Sequence, residues 1–112
     1  MNESSVERII LDLVVEDSYA LSEIVSRVRH SRSGLSTKHA KELARKTLEE
    51  MLDAGLISAT RLESPEGLES SLDHEAAKEA LADDLTWLEL PHWRPHIRIV
   101  ATLTGREAYR KG

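Results

Sequence analysis

The chain has no cysteine among its 112 residues, which excludes disulfides, thiol nucleophiles and Cys-ligated zinc and accords with a reducing compartment. It also lacks an apolar run near the roughly 18 residues that a membrane-spanning helix needs, and a basic-then-apolar leader. A soluble cytoplasmic protein with no membrane partner is expected. Glycine-rich phosphate loops and dinucleotide fingerprints are missing too, so no cofactor is implied. There is no internal repeat or low-complexity linker. At this length a single domain over residues 1–112 buries roughly two-thirds of its extended surface, a core that needs no covalent staple.

The net charge of −5 speaks against indiscriminate binding to nucleic acid, but it is unevenly distributed. Residues 1–26 hold one Lys/Arg against six Asp/Glu, and residues 27–46 hold seven against one. Residues 47–90 hold two against twelve, and residues 91–112 hold five against one. Two basic blocks therefore alternate with two acidic ones, and folding can bring the basic pair together.

Periodicity gives the elements. Val6, Ile9, Ile10, Leu13 and Val14 form one helical face after Ser4 and Glu7, which have capping-box spacing. A second helix is predicted over residues 19–30, with Leu21, Ile24, Val25 and Val28 inward and Ser22 as cap of its main body. After the polar, Gly34-containing connection, Ser36 or Thr37 caps a third helix reaching about Ala54. In it Ala40, Leu43, Ala44, Thr47, Leu48, Met51 and Leu52 recur at three- and four-residue spacing. Lys38, His39, Lys41, Arg45 and Lys46 fall beside or opposite that stripe, where they face water or a phosphate backbone. Gly55 permits a left-handed helix stop before the strand that begins at Leu56.

Beyond it, a strand over residues 56–63, a turn at Pro65-Glu66-Gly67, a helix over residues 73–84 and a strand over residues 96–103 are predicted. The helix is expected to pack through Ala76, Ala77, Ala80 and Leu81. The two strands are expected to pair antiparallel, with residues 87–90 extending toward the second and Pro91 and Pro95 interrupting it. Thr104 and Glu107 have capping-box spacing for a short terminal helix.

Three helices, a strand, an excursion over about residues 64–95 and a returning strand resemble a winged helix-turn-helix domain of bacterial-type transcriptional regulators. The motifs that carry the resemblance are Leu21-Ser22-Glu23-Ile24, the segment LEEMLDAGLI over residues 48–57, and the close Leu103-Thr104-Gly105-Arg106. It implies an α+β fold: a three-helix core, a two-stranded wing carrying a helical insertion, and a short C-terminal helix. It further implies sequence-specific binding of double-stranded DNA, with helix three in the major groove and the wing on the backbone. Thr37, Lys38, His39 and Lys41 then lie at the groove, with Lys38, Lys41, Arg45 and Lys46 supplying phosphate attraction and Thr37 or His39 touching base edges, while Arg32 adds positive potential and Arg94 and Arg98 stand on the wing side. A homodimer is expected, since two related basic faces on one duplex gain span, with helix one or the Ala108-Tyr109 region as its contact.

Two other readings stand beside it. An intracellular protein-interaction module on the same scaffold would use Trp87, Trp93, His92 and the acidic insertion as its contact patch. An enzyme is not expected. His92 and His96 have helical metal-pair spacing, but Trp93-Arg94-Pro95 between them favours extended backbone, and His74, Asp83 and Asp84 come with no identifiable nucleophile.

Overall fold

Apolar residues spaced three or four apart build the first helices of the computed structural model, which describes residues 3–32, 34–88 and 92–111. Helix α1 (Glu3–Val14) buries Val6, Ile10, Leu11 and Val14. Helix α2 (Leu21–Ser31) buries Leu21, Ile24, Val25 and Val28, and α3 (Thr37–Asp53) buries Ala40, Ala44, Thr47, Leu48, Met51 and Leu52. Ser36 caps α3 by accepting a hydrogen bond from the His39 backbone N–H at 3.1 Å. Gly55, at φ 75, then turns the chain into strand β2 (Ile57–Leu62).

Helix two starts later than its sequence suggests, because Tyr19-Ala20 is a short strand, β1. It pairs antiparallel with β4 (His96–Ala101), Tyr19 opposite Ile99 and Ala20 opposite Arg98, and so satisfies backbone groups along an otherwise open edge. Ala20 is the N-cap, not Ser22. Its N–H donates to Glu23 Oε1 at 2.9 Å, which is half of a capping box, since alanine has no side-chain acceptor to supply the other half.

Strand β2 pairs antiparallel with β4 over six residues, from Ile57 opposite Ala101 to Leu62 opposite His96. The sheet is larger than the expected two strands. Strand β3 (Glu69–Ser71) lines the other edge of β2, giving the order β1-β4-β2-β3. Ile57, Ala59, Ile97, Ile99 and Ala101 alternate onto the face that packs on the helices.

Helix α4 (His74–Ala82), capped by Asp73, packs on α3 and buries Ala77 and Leu81. A 3-10 turn at Asp84–Trp87 follows, so Trp87 and Leu88 do not extend toward the second strand. Glu89 and Leu90 lie outside the described residues. Asp53, at the end of α3, accepts hydrogen bonds from Lys78 Nζ at 2.9 Å and lies 3.0 Å from His74 Nε2. The Lys78 hydrogen bond, with His74 adding to it, holds the Asp53 carboxyl below the ordinary aspartate range.

Strand β4 stops at Ala101, and α5 (Leu103–Lys111) begins one residue before Thr104, the cap that the sequence spacing suggests. Thr102 is positioned as the cap, with its Oγ1 accepting from the Gly105 N–H at 3.0 Å. Helix α5 returns to α1, where Tyr109 donates to Asp12 and Arg8 lies 4.1 Å over its ring. That hydrogen bond to a carboxylate raises the Tyr109 hydroxyl above the ordinary tyrosine range. Among the described residues no helix is long and apolar enough to cross a membrane.

Candidate nucleic-acid interface

Helix α3 is packed by α1, α2 and α4, and its first turn is left in solvent. Thr37, Lys38 and His39 form its exposed first turn. Lys46 lies two turns further along the outer face, with Glu42 between it and Lys38 at four-residue spacing. Glu49, Glu50 and Asp53 complete that side, so the basic character is confined to the N-terminal part of the helix. Lys41 is half-buried at the flank. Among the described residues Lys38 and Lys41 make no ion pair, which leaves both available for an anionic partner.

The end of α2 extends this corner. Arg29 and His30 are exposed in its last turn, and Arg32 is the half-buried C-cap, its N–H donating to Arg29 O at 3.3 Å. Arg27 is turned toward α1, 3.8 Å from Asp12. The His39 ring is held from behind, with Nδ1 3.0 Å from Ser36 Oγ. Because Ser36 Oγ already accepts from the His39 backbone, its own proton suits Nδ1, and the neutral ring then carries its hydrogen on Nε2.

Two of the expected contact residues are committed inside the protein. Arg45 donates from Nη2 to Asp84 Oδ1 at 2.8 Å and lies 5.3 Å over the Trp87 ring. The acidic excursion has folded back onto α3 and taken this cation, a contact that helical periodicity cannot reveal because the partner is 39 residues away. Arg98 is likewise not a surface cation. Its guanidinium donates to Ser18 O at 2.6 Å and Ser18 Oγ at 2.9 Å, with Glu23 at 3.8 Å and Glu69 at 3.9 Å. It ties β4 to the chain entering β1 and to β3.

Arg94 does remain exposed, without an ion pair among the described residues, but it precedes β4 on the far side of the excursion. The hairpin tip between β2 and β3 carries Glu63 and Glu66 and no Lys or Arg, so it offers phosphate no attraction. The residues that the structure does bring together are Arg29, His30, Arg32, Thr37, Lys38, His39 and Lys41, at the α2–α3 corner. His30 was not singled out from the sequence, although its place in the last turn of an amphipathic helix beside Arg29 was a usable signal.

Among the described residues no group of three or more His, Cys, Asp or Glu is placed to hold a metal ion. His96 Nδ1 instead meets Arg94 O at 2.9 Å. No protein-family profile matches the chain, and neither a curated protein nor a solved structure shows significant similarity to it.

Proposed function

We propose that the chain is a winged helix-turn-helix protein of the cytoplasm that binds double-stranded DNA sequence-specifically as a transcriptional regulator. The observation that carries this reading is the exposed, cationic first turn of α3, joined by a short turn to the basic end of α2 and followed by the antiparallel β2–β4 pair. A helix anchored by α1, α2 and α4 with its N-terminal turn bare can present that turn to a major groove of about 12 Å width. On this reading Lys38 and Lys41 hold phosphates, with Arg29 and Arg32 beside them. Thr37 and His39 meet base edges, where a hydrogen on His39 Nε2 suits an acceptor such as guanine O6 or N7. Lys46 supplies charge further along the helix. Arg45 and Arg98 have no part in it, and β2–β4 contributes placement more than charge.

Binding is expected to weaken steeply with salt despite the negative whole-chain charge. Each phosphate contact adds about 0.9 to the negative slope of log binding constant against log salt. Lys41→Ala should therefore lower the magnitude of that slope by about one on both selected and scrambled duplexes, while His39→Ala should reduce the preference between them. Titrations across a salt series with folded variants make the measurement. A parent protein that binds no member of a broad duplex library at low salt rejects the reading, and an unchanged slope in Lys41→Ala rejects this placement of α3.

A symmetric dimer belongs to the same proposal, with α1 or α5 at its contact. Leu103, 72% exposed at the start of α5, is the large apolar side chain on these helices that the fold leaves in water. Sedimentation at micromolar concentration is expected to give a dimer on a duplex carrying two half-sites. A monomer both with and without DNA rejects the dimer and leaves DNA binding standing.

A further inference from the structure

Strand alternation places Ile57, Ala59 and Arg61 on the helix-facing side of β2. The first two are buried; the third is a guanidinium, half-exposed, opposite the buried Ile97. A sheet that simply continued its core would carry an aliphatic residue there. Arg61 instead borders a cleft of about 680 Å³ between the α4 and 3-10 segment on one side and the chain entering β4 on the other. That volume is in the range of small-molecule sites, about 300–1,000 Å³.

The walls divide by chemistry. Leu72 and Ala80 line the inner part, and Leu85, Leu88 and Trp93 stand around the mouth. These last three are 72%, 54% and 45% exposed, a concentration of large apolar side chains in water that the protein carries nowhere else among its described residues. Trp93 is oriented by an edge contact with the His96 ring, whose centroid lies 6.2 Å away. A flat apolar body laid against Trp93, Leu85 and Leu88 removes all three from water.

The basic groups beside these apolar walls favour an anion. The segment from His92 to Arg98 contains two arginines and two histidines and no acid. Arg94 lines the cleft and makes no ion pair among the described residues. Among the described residues Arg61 pairs with Glu63 Oε1, at 3.5 Å, through its Nε, which leaves its Nη groups outside that contact. On the opposite wall, among the described residues, stand Glu79 and Asp83, the latter turned to the backbone as it accepts from the Leu85 N–H at 3.0 Å to cap the 3-10 turn. His96 Nδ1 meets the Arg94 carbonyl at 2.9 Å and its Nε2 faces Arg98 Nη1 at 3.4 Å, so both ring nitrogens are engaged within the protein and the guanidiniums carry the recognition.

We propose that this cleft is a binding site for a small organic anion with a flat aromatic body, an arene carboxylate in chemical class, with the ring on Trp93, Leu85 and Leu88 and the carboxylate on Arg94 and Arg61. The site is independent of whether α3 binds DNA. The 3-10 turn is shared between the two regions, since Trp87 lines the cleft and also carries Arg45 of α3 against its ring.

The test is a two-dimensional ¹H–¹⁵N NMR titration of the whole chain with 1-naphthoate, alongside the matched neutral 1-naphthamide and cationic 1-naphthylmethylamine. Both tryptophans of the chain line the cleft, so their indole N–H signals report occupancy directly. Saturable shifts of the Trp93 indole and of the Leu85 and Leu88 amides are expected with the acid, with affinity at least about tenfold above that for the amide, as loss of a charge-assisted hydrogen bond implies. Arg94→Gln, at an exposed position outside helix and strand, should leave the remaining spectrum unchanged, weaken the acid about tenfold and leave the amide unaffected. Arg61→Gln should act in the same direction. The proposal is overturned if the acid gives no saturable shift at millimolar concentration, if the amide or the amine binds as tightly as the acid, or if neither arginine variant changes its affinity.

Discussion

Replacing Gly105 with alanine is expected to be among the most damaging single-methyl changes in this protein, costing about 3 kcal/mol or more, at the upper end of overpacking effects. A Cβ at this position would lie 1.9 Å from Leu56 O and 2.9 Å from Leu56 C, both backbone atoms with no rotamer to yield. The backbone there is held on every side. Leu56 O accepts from Thr102 N at 3.0 Å, Leu56 N donates to Met51 O at 3.0 Å, and Thr102 Oγ1 donates to Gly55 O at 2.6 Å while accepting from Gly105 N. Relief of the clash therefore requires breaking the cap of α5 or the turn that closes α3, each worth roughly 1 kcal/mol. Against a domain stability of about 5–15 kcal/mol this is a large fraction. Urea unfolding of Gly105→Ala beside Gly67→Ala separates close approach from backbone strain. Gly67, at φ 98, has open space where its Cβ would stand, so its substitution strains only the left-handed backbone, by about 1–2 kcal/mol. Equal losses in the two variants would show that the contact with Leu56 is not what requires glycine.

Gly105 also marks where sequence reasoning loses its grip. Its place in the Leu103-Thr104-Gly105-Arg106 close could be recognised, but the reason for it lies in Leu56, 49 residues earlier. What was legible is what depends on near neighbours. The Ala40 to Leu52 stripe buries as its spacing demands, with Leu43 alone half-buried; Gly55 separates helix from strand; and β2 meets β4 where two apolar alternations were found. Strands β1 and β3 carry no such pattern. The first is two residues long and the second, Glu69-Ser70-Ser71, is exposed throughout, so both exist because an adjacent strand edge offers hydrogen bonds. The basic residues show the same division. Periodicity correctly sets Lys38 and His39 outside the core, yet it treats Arg45 and Arg98 alike, and only the tertiary fold supplies Asp84 to one and Ser18 to the other. Charge pattern thus gave the region of a candidate interface without telling which of its cations are spare.

Trp87→Ala is the second change expected to have a large effect, about 3–5 kcal/mol, as for truncation of a buried tryptophan. Trp87 is 6% exposed, its Nε1–H donates to Leu81 O at 2.9 Å, and the Arg45 side chain covers its ring. With the packing of α4 and the Asp53–Lys78 contact, it is one of the points at which the excursion is fastened to α3. The ion pair above it is the weaker fastening, because the Asp84 side chain is 90% exposed and Arg45 only 25%, so water screens the contact from one side. Asp84→Asn should accordingly cost under about 1 kcal/mol, and Trp87→Phe, which keeps most of the apolar body but leaves Leu81 O without its indole donor, about 1–3 kcal/mol. Denaturant midpoints rank the three variants. Hydrogen exchange adds where the loss falls: amides of α4, whose Leu81 carbonyl accepts the indole hydrogen bond, should lose protection before those of α1 and α2. If Asp84→Asn proved as costly as Trp87→Ala, charge and not packing would be holding the excursion in place. If Trp87→Ala cost less than about 1 kcal/mol, the excursion would contribute little to the stability of the helices beneath it.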